Sequence, residues 1–212
     1  MKHDNMIASE GLPFIAVSGL LSLFAILFGP YWLAAFALLA TVFVVCFFRN
    51  PERQAPADEK LIVSPADGKV IRIDENIKHE LLSQPCRKVS IFMNVFNVHV
   101  NRIPYSGTVS EIRYNPGKFL SANLDKASEQ NERNAVLIQT DSGKEILTVQ
   151  IAGLIARRIV CWVKKGDCLQ RGERFGLIRF GSRLEVFLPM ETMLSVTVGD
   201  KVRAGETPIG TF

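Results

Sequence analysis

Gly181-Ser182 is the only Gly-Ser dipeptide in this 212-residue chain, and it lies inside an apolar run, Ile178 to Leu188. Read as a strand with period 2, the run places Ile178, Phe180, Ser182, Leu184, Val186 and Leu188 on one face and Arg179, Arg183 and Glu185 on the other. Ser182 is then the one polar side chain in an apolar row, a position that calls for a buried partner or a reactive role. A serine hydroxyl becomes a nucleophile when a base takes its proton, and a glycine beside it tolerates a strained backbone. The plainer reading is a core serine bonded to a backbone carbonyl. His99, in Asn97-Val-His-Val-Asn-Arg-Ile-Pro104, is the only histidine flanked by strand-like residues. It is either a structural side chain or a proton carrier working near neutral pH. Asp67, in Pro65-Ala-Asp-Gly68, is either an ordinary turn residue or a turn-fixed carboxylate that orients an imidazole. Pro116-Gly-Lys-Phe-Leu120 and the polar stretch Asp125–Asn134 supply Lys118 and Arg133, cations for a phosphate or for solvent. Arg157 and Arg158 interrupt the apolar stretch Ile151–Val160, as at a strand edge.

These residues need a scaffold, and beyond residue 60 the pattern is mostly β. Short strands are expected at Leu61–Ser64, Lys69–Ile73, Lys88–Met93, Val98–Val100 and Gly107–Ile112, between turn residues. Ala135–Thr140 and Glu145–Ile151 flank Asp141-Ser-Gly143 and read as a hairpin. Phe119–Asn134 is expected to be a short helix or a mobile loop. Val163-Lys-Lys-Gly-Asp-Cys-Leu-Gln-Arg-Gly-Glu173 recurs 33 residues later as Val196-Thr-Val-Gly-Asp-Lys-Val-Arg-Ala-Gly-Glu206. Glycines at both ends of the repeat suit tight turns. The repeat resembles the half-motifs of biotinyl and lipoyl carrier domains, so the expected fold is a mainly β, barrel-sandwich-like domain over residues 61–212.

The N-terminal part differs in kind. No charged residue occurs from Gly11 to Phe48, and Gly29-Pro30 divides this run into 11–29 and 31–48. A helix needs roughly 20 residues to cross the hydrocarbon core, so the expectation is a membrane hairpin of two helices over residues 1–48, followed by a linker at 49–60. A hairpin puts both its ends on one side. Lys2, Arg49 and Arg53 then place the remainder on the cytoplasmic side of the cell membrane. The part after Phe48 carries 24 basic and 19 acidic residues, a mild bias towards an anionic surface. No basic run supports nucleic-acid binding. Four scattered cysteines without a Cys-x-x-Cys, and three scattered histidines, support neither a metal site nor a disulfide framework.

Taken in order, the segments SPADG (64–68), NVHVNRIP (97–104), Y-x-PGKF (114–119), NER (131–133), IAG-x-x-ARRI (151–159), GE-x-FG-x-I (172–178) and FGS (180–182) resemble the phosphatidylserine decarboxylase proenzymes. The N-terminal hairpin fits the short members of that family. The resemblance implies self-cleavage at Gly181-Ser182, conversion of Ser182 into a pyruvoyl cofactor, and two chains from one precursor that stay associated without a covalent link. That group would form a Schiff base with the serine headgroup of phosphatidylserine, lose carbon dioxide and yield phosphatidylethanolamine. It implies Ser182, His99 and Asp67 as the catalytic set, with His99 returning a proton to the α-carbon. Lys118, Arg102 and Arg133 become candidates for binding the phospholipid. Homo-oligomers are compatible with the sequence, and parent lipid and acyl chains are not legible in it.

Two positions depart from the pattern. Arg102 stands where many members carry a second histidine, the candidate base for self-cleavage, and arginine cannot act as a base. His99, oriented by Asp67, would then do both jobs, unless another group activates Ser182. Arg183 follows the serine where threonine is frequent, and is expected to face solvent or the lipid phosphate. The competing reading is a non-enzymatic, membrane-anchored carrier or adaptor of the biotinyl/lipoyl type, with Asp125-Lys-Ala127 echoing a lipoylation tripeptide.

Overall fold

A computed structural model describes residues 4–117, 130–153, 158–179 and 181–212. They form two compact units, one up to Glu52 and one from Arg53 to Phe212. In the first, helices α1 (Leu12–Phe28) and α2 (Tyr31–Phe47) pack on each other as a hairpin. Gly29 closes α1 in an extended conformation and Pro30 precedes α2, where a fixed φ and a missing N–H do no harm. Ser22 Oγ and Thr41 Oγ1 meet between the helices at 2.9 Å, a polar contact suited to a medium without competing water. The two ends of the hairpin are joined as well. Asn50 N–H donates to Met6 O at 2.7 Å, and Ala8 N–H donates to Phe48 O at 2.9 Å. Ser9–Phe28, 20 residues long with a mean hydropathy of 2.2 over its most apolar 18, is long and apolar enough to cross a membrane, and α2 is the shorter at 17. Leu20, Phe24, Phe36 and Leu39 stand exposed on this unit, an arrangement that water penalises and lipid does not.

The second unit is mainly β. Its first seven strands are β1 (Leu61–Val63), β2 (Gly68–Ile77), β3 (Cys86–Met93), β4 (Val100–Arg102), β5 (Gly107–Asn115), β6 (Arg133–Gln139) and β7 (Glu145–Ala152). The rest are β8 (Ile159–Cys161), β9 (Cys168–Leu169), β10 (Arg174–Ile178), β11 (Ser182–Pro189), β12 (Met193–Leu194), β13 (Lys201–Val202) and β14 (Pro208–Thr211). Among the described residues they make a curled eight-stranded sheet, ordered β13-β2-β3-β11-β7-β6-β5-β9, and two three-stranded sheets, β1-β14-β12 and β4-β10-β8. The main core lies between the large sheet and the two small ones, with Val70, Ile91, Val136, Leu184 and Val186 facing Ile62, Ile103, Phe175 and Ile209. Each such side chain contributes about 1.5–3 kcal/mol by leaving water. A second cluster, including Leu81, Leu147, Ile151 and Phe187, covers the other face of the large sheet. The fold is mainly β and compatible with the barrel-sandwich expectation. The hairpin at 141–143 is present, joining β6 to β7 with Gly143 at φ +79°.

The internal repeat is a structural repeat. Gly166 and Gly199 have φ of +93° and +106°, and Gly172 and Gly205 have +85° and +75°. In each copy the aspartate closes the turn: Asp167 Oδ2 accepts from Lys164 N–H, and Asp200 Oδ2 from Thr197 N–H, both at 2.8 Å. Each copy then delivers a short strand to the edge of the large sheet, β9 beside β5 and β13 beside β2.

Two expectations change in the structure. Ile178–Leu188 is not one strand, because β10 ends at Ile178 in a small sheet and β11 starts at Ser182 in the large one. Gly181, at φ +66°, lies at this break, in the left-handed region where glycine alone is unstrained. The segment read as a linker is held to the second unit from Arg53 onward. Arg53 pairs with Asp67 and donates to Ala204 O at 2.8 Å, while Arg171 donates to the carbonyls of Pro56, Asp58 and Leu61 at 2.5–2.6 Å. The proposed helix or loop at 119–134 falls largely outside the described residues, and its last two residues already belong to β6.

Candidate active site

Ser182 opens β11, the strand at the middle of the large sheet, with Met93 of β3 on one side and Ala152 of β7 on the other. Alternation along β11 sends Leu184, Val186 and Leu188 into the main core and Phe187 into the second cluster. Ser182 shares the parity of the main-core residues and has no solvent exposure. Its hydroxyl donates to Met93 Sδ at 3.4 Å, a weak acceptor. Donation engages the O–H and leaves the nucleophilic lone pairs of the oxygen available. A Cβ built on Gly181 would meet nothing within 4 Å, so this position requires glycine for its positive φ and not for space.

His99 immediately precedes β4 and is fully buried. Its Nδ1 lies 3.0 Å from Asn97 O, and its Nε2 accepts the Gly181 N–H at 3.4 Å. Since an N–H can donate only to a lone pair, the ring carries its proton on Nδ1 and presents the Nε2 lone pair to the Gly181–Ser182 segment. Gly181 and His99, 82 residues apart in sequence, are therefore brought into contact, with Ser182 next to them in the chain.

Asp67 is placed elsewhere. Its carboxylate makes a two-pronged ion pair with the buried Arg53 guanidinium, and Oδ1 also accepts Ala204 N–H at 2.8 Å. The hydrogen-bond partner on His99 Nδ1 is instead the Asn97 carbonyl. Arg102 is buried at the other end of β4, where its Nη1 donates to Gly172 O at 2.7 Å. A Cβ on Gly205 would come within 2.8 Å of its Cδ, so Arg102 lies between the two repeat turns. Arg133 is half-buried at the start of β6, opposite Ile151. Lys118 lies outside the described residues, as do Arg157 and the tripeptide 125–127. Arg183 was expected to face solvent or lipid phosphate, and it does neither. It is buried on the opposite face of β11 with Nη2 3.3 Å from Glu185 Oε1. Glu185 also accepts from Ser90 Oγ at 3.4 Å and lies near Lys88, which pairs with Asp74 at 3.0 Å. Two charges buried on one strand are tolerable only as such a paired set.

Sequence reasoning missed four side chains around Ser182: Met93, Asn101, Asn134 and Gln150, all buried. The available signal was a polar residue in the apolar run Ile146–Ile151, where alternation puts Gln150 on the same face as the core. Thiol chemistry has no support here. Burial pushes the Cys86 thiol up to about 11 and also raises Cys161, so neither is a thiolate near neutral pH. Among the described residues no cluster of three or more metal-ligating side chains occurs.

Comparison with known proteins agrees with this geometry. Residues 40–210 match the phosphatidylserine decarboxylase family model. The chain is 70% identical to the phosphatidylserine decarboxylase proenzyme of Syntrophus aciditrophicus over 100% of both chains. It is 52% identical to that of Geotalea uraniireducens over 99% of each chain, and 52% to that of Desulfotalea psychrophila over 96% of this chain and 95% of the relative. An order of segments that resembled a family, a glycine–serine bond facing an imidazole and full-length identity of this level converge on one conclusion: the chain belongs to the phosphatidylserine decarboxylase family.

Proposed function

We propose that this chain is a self-cleaving precursor of an enzyme that converts phosphatidylserine to phosphatidylethanolamine. The observation that carries this reading is the Gly181–Ser182 bond itself, with Gly181 at φ +66° and its N–H on His99 Nε2 at 3.4 Å. In the first step Ser182 Oγ adds to the Gly181 carbonyl carbon and its proton passes to His99. The amide C–N bond breaks, an ester forms, and the freed nitrogen of residue 182 takes the proton. Loss of the Ser182 α-proton then breaks the ester C–O bond, giving a Gly181 carboxylate and a dehydroalanine. Water adds, ammonia leaves, and residue 182 ends as a pyruvoyl group heading a chain of 31 residues.

The residues present fit that group. The serine that must form it is in place and buried, and the imidazole lone pair takes the N–H of the glycine just before it. The pyruvoyl group supplies an electron sink for the pair left when carbon dioxide departs. Met93 and Ala152 hold position 182 from either side through the sheet register. His99 carries the proton to the α-carbon, and the Asn97 carbonyl keeps its tautomer. Arg102, always charged and directed to Gly172 O, takes no part in proton transfer. Asp67 supports the site indirectly, by fixing Arg53 and the backbone at Ala204. Arg133 and Lys118 are kept as candidates for the lipid phosphate.

The apolar hairpin supports anchorage in the membrane that contains the lipid substrate, with the β unit on the cytoplasmic side of Arg49. The two chains made by cleavage stay together, since β11 is hydrogen-bonded on both edges by strands of the longer chain. A carrier or adaptor does not account for the Gly181–His99 contact. A denaturing gel tests the proposal: the wild type runs as two fragments, the smaller with a blocked N-terminus, and Ser182→Ala runs as one band. A wild-type chain of full length would sink it.

A further inference from the structure

Buried amides run in single file towards Ser182. Asn134 Nδ2 donates to Gln150 Oε1 at 3.1 Å, and Gln150 Nε2 donates to Asn101 Oδ1 at 2.9 Å. Asn101 Nδ2 then reaches Met93 Sδ at 3.7 Å, the sulfur that also takes the Ser182 hydroxyl at 3.4 Å. The five side chains come from five strands, and each is buried. The direction of the file is set by its own bonds. The Gln150 and Asn101 oxygens are each taken by the amide behind, so each of these NH2 groups points forward, and the last faces Met93 and position 182. Room is made for it at Gly176, where a Cβ would lie 2.9 Å from Gln150 Nε2.

A buried amide is costly unless it is well bonded, and a thioether is a weak acceptor. Among the described residues the file thus ends on an N–H donor whose acceptor is a poor one, beside the proposed reacting position. Resting on the decarboxylase reading, we propose that Asn101 Nδ2 binds a carboxylate oxygen of the serine headgroup, with Gln150 and Asn134 as positioning residues behind it. A neutral donor suits this reaction. The carboxylate leaves as uncharged carbon dioxide, so a cation paired to it would stabilise the ground state more than the transition state. An amide orients the group with a weaker hold. The nearest arginines in sequence are directed away, Arg102 to Gly172 O and Arg183 to Glu185 on the other face of β11.

The test uses the full-length protein in detergent with Asn101→Ala and the near-isosteric Asn101→Asp. Two unreactive phospholipids serve as calorimetric probes. One carries 3-hydroxypropionate in place of serine, keeping the carboxylate without the amine, and the other carries ethanol, with neither. Both variants are expected to cleave at 181–182 like the wild type. Asn101→Ala should bind the carboxylate lipid about 10-fold more weakly and the ethanol lipid unchanged, as for one lost hydrogen bond to a charged group. Asn101→Asp should lose more, by like-charge repulsion, and both should lower kcat/KM for phosphatidylserine by about 10- to 100-fold. Unchanged affinity for the carboxylate lipid in either variant overturns the proposal. So does a folded but uncleaved Asn101→Ala, which would assign the donor to the precursor's own chemistry. An uncleaved, inactive wild type would overturn the decarboxylase reading and this proposal with it.

Discussion

At position 182 the chemistry depends on two lone pairs, those of the serine oxygen and of His99 Nε2. Among the described residues the serine donates to a thioether, and the imidazole Nδ1 lies against a backbone carbonyl. Residue type alone made Ser182 and His99 candidates, because one is the only polar side chain in its row and the other the only histidine in a strand-like setting. Residue type could not reveal their partners. Met93, Asn101 and Gln150 belong to strands whose neighbours are set by the whole sheet order, and Asp67 turned out to face Arg53. Arg102 is the sharpest contrast: its place in the segment suggested catalysis or binding, and its contacts are those of a brace between Gly172 and Gly205. The two positions should therefore fail differently. His99→Ala is expected to stop decarboxylation and to slow self-cleavage by at least about 100-fold, the usual worth of a general base. The other described imidazole, His79, packs on Phe187 in the second cluster and offers no substitute. Arg102→Ala should cost about 2–4 kcal/mol of stability, yet its folded fraction should still cleave. Time courses on gels, with thermal melts alongside, distinguish these outcomes. Normal cleavage in His99→Ala would remove it as the cleavage base.

The elements that carry the candidate site are ordinary strands with one break, and the proposed cleavage falls at that break. The sequence pattern of Ile178–Leu188 is continuous because both β10 and β11 are buried, so periodicity passed straight across a change of sheet. Gly181 was the visible mark, and its φ of +66° explains why a glycine is needed with open space around it. The repeat was legible for the opposite reason. Its glycines and aspartates are required by the turns themselves, so two unrelated positions in the fold kept the same local sequence. Gly181→Ala separates conformation from space. The methyl meets nothing, so folding should be nearly unaffected, but an L-residue in the left-handed region costs about 1–2 kcal/mol. If the backbone relaxes away from that conformation, the peptide to be attacked turns relative to the serine, and cleavage is expected to slow by about 10-fold or more. Cleavage at the wild-type rate would show that the positive φ is a requirement of the chain turn alone.

On the scale of the molecule, the β unit begins earlier in the chain than composition suggested. Pro51, Pro56 and the charged residues between them read as a linker, because a sequence shows polarity but not which side chain will reach its carbonyls. Arg171, 110 or more residues away, bonds two of those carbonyls and that of Leu61, and Arg53 fills the carboxylate of Asp67. The segment from Arg53 to Lys60 is thus part of the β unit, and both apolar clusters are built from residues beyond it. Two truncations follow from this. A chain starting at Arg53 keeps every one of these bonds and both clusters, so it should fold without the apolar hairpin and cleave itself at 181–182 in plain buffer. It should turn over a short-chain, water-soluble phosphatidylserine, and lose activity mainly on substrate held in bilayers. A chain starting at Leu61 lacks Arg53, leaving the Asp67 carboxylate buried without its cation, a change that costs about 3–5 kcal/mol for a buried pair. It also deprives Arg171 of the Pro56 and Asp58 carbonyls. That chain should melt well below the longer one and cleave incompletely. Equal melting temperatures and equal cleavage for the two would mean that residues 53–60 are the tether their composition suggests.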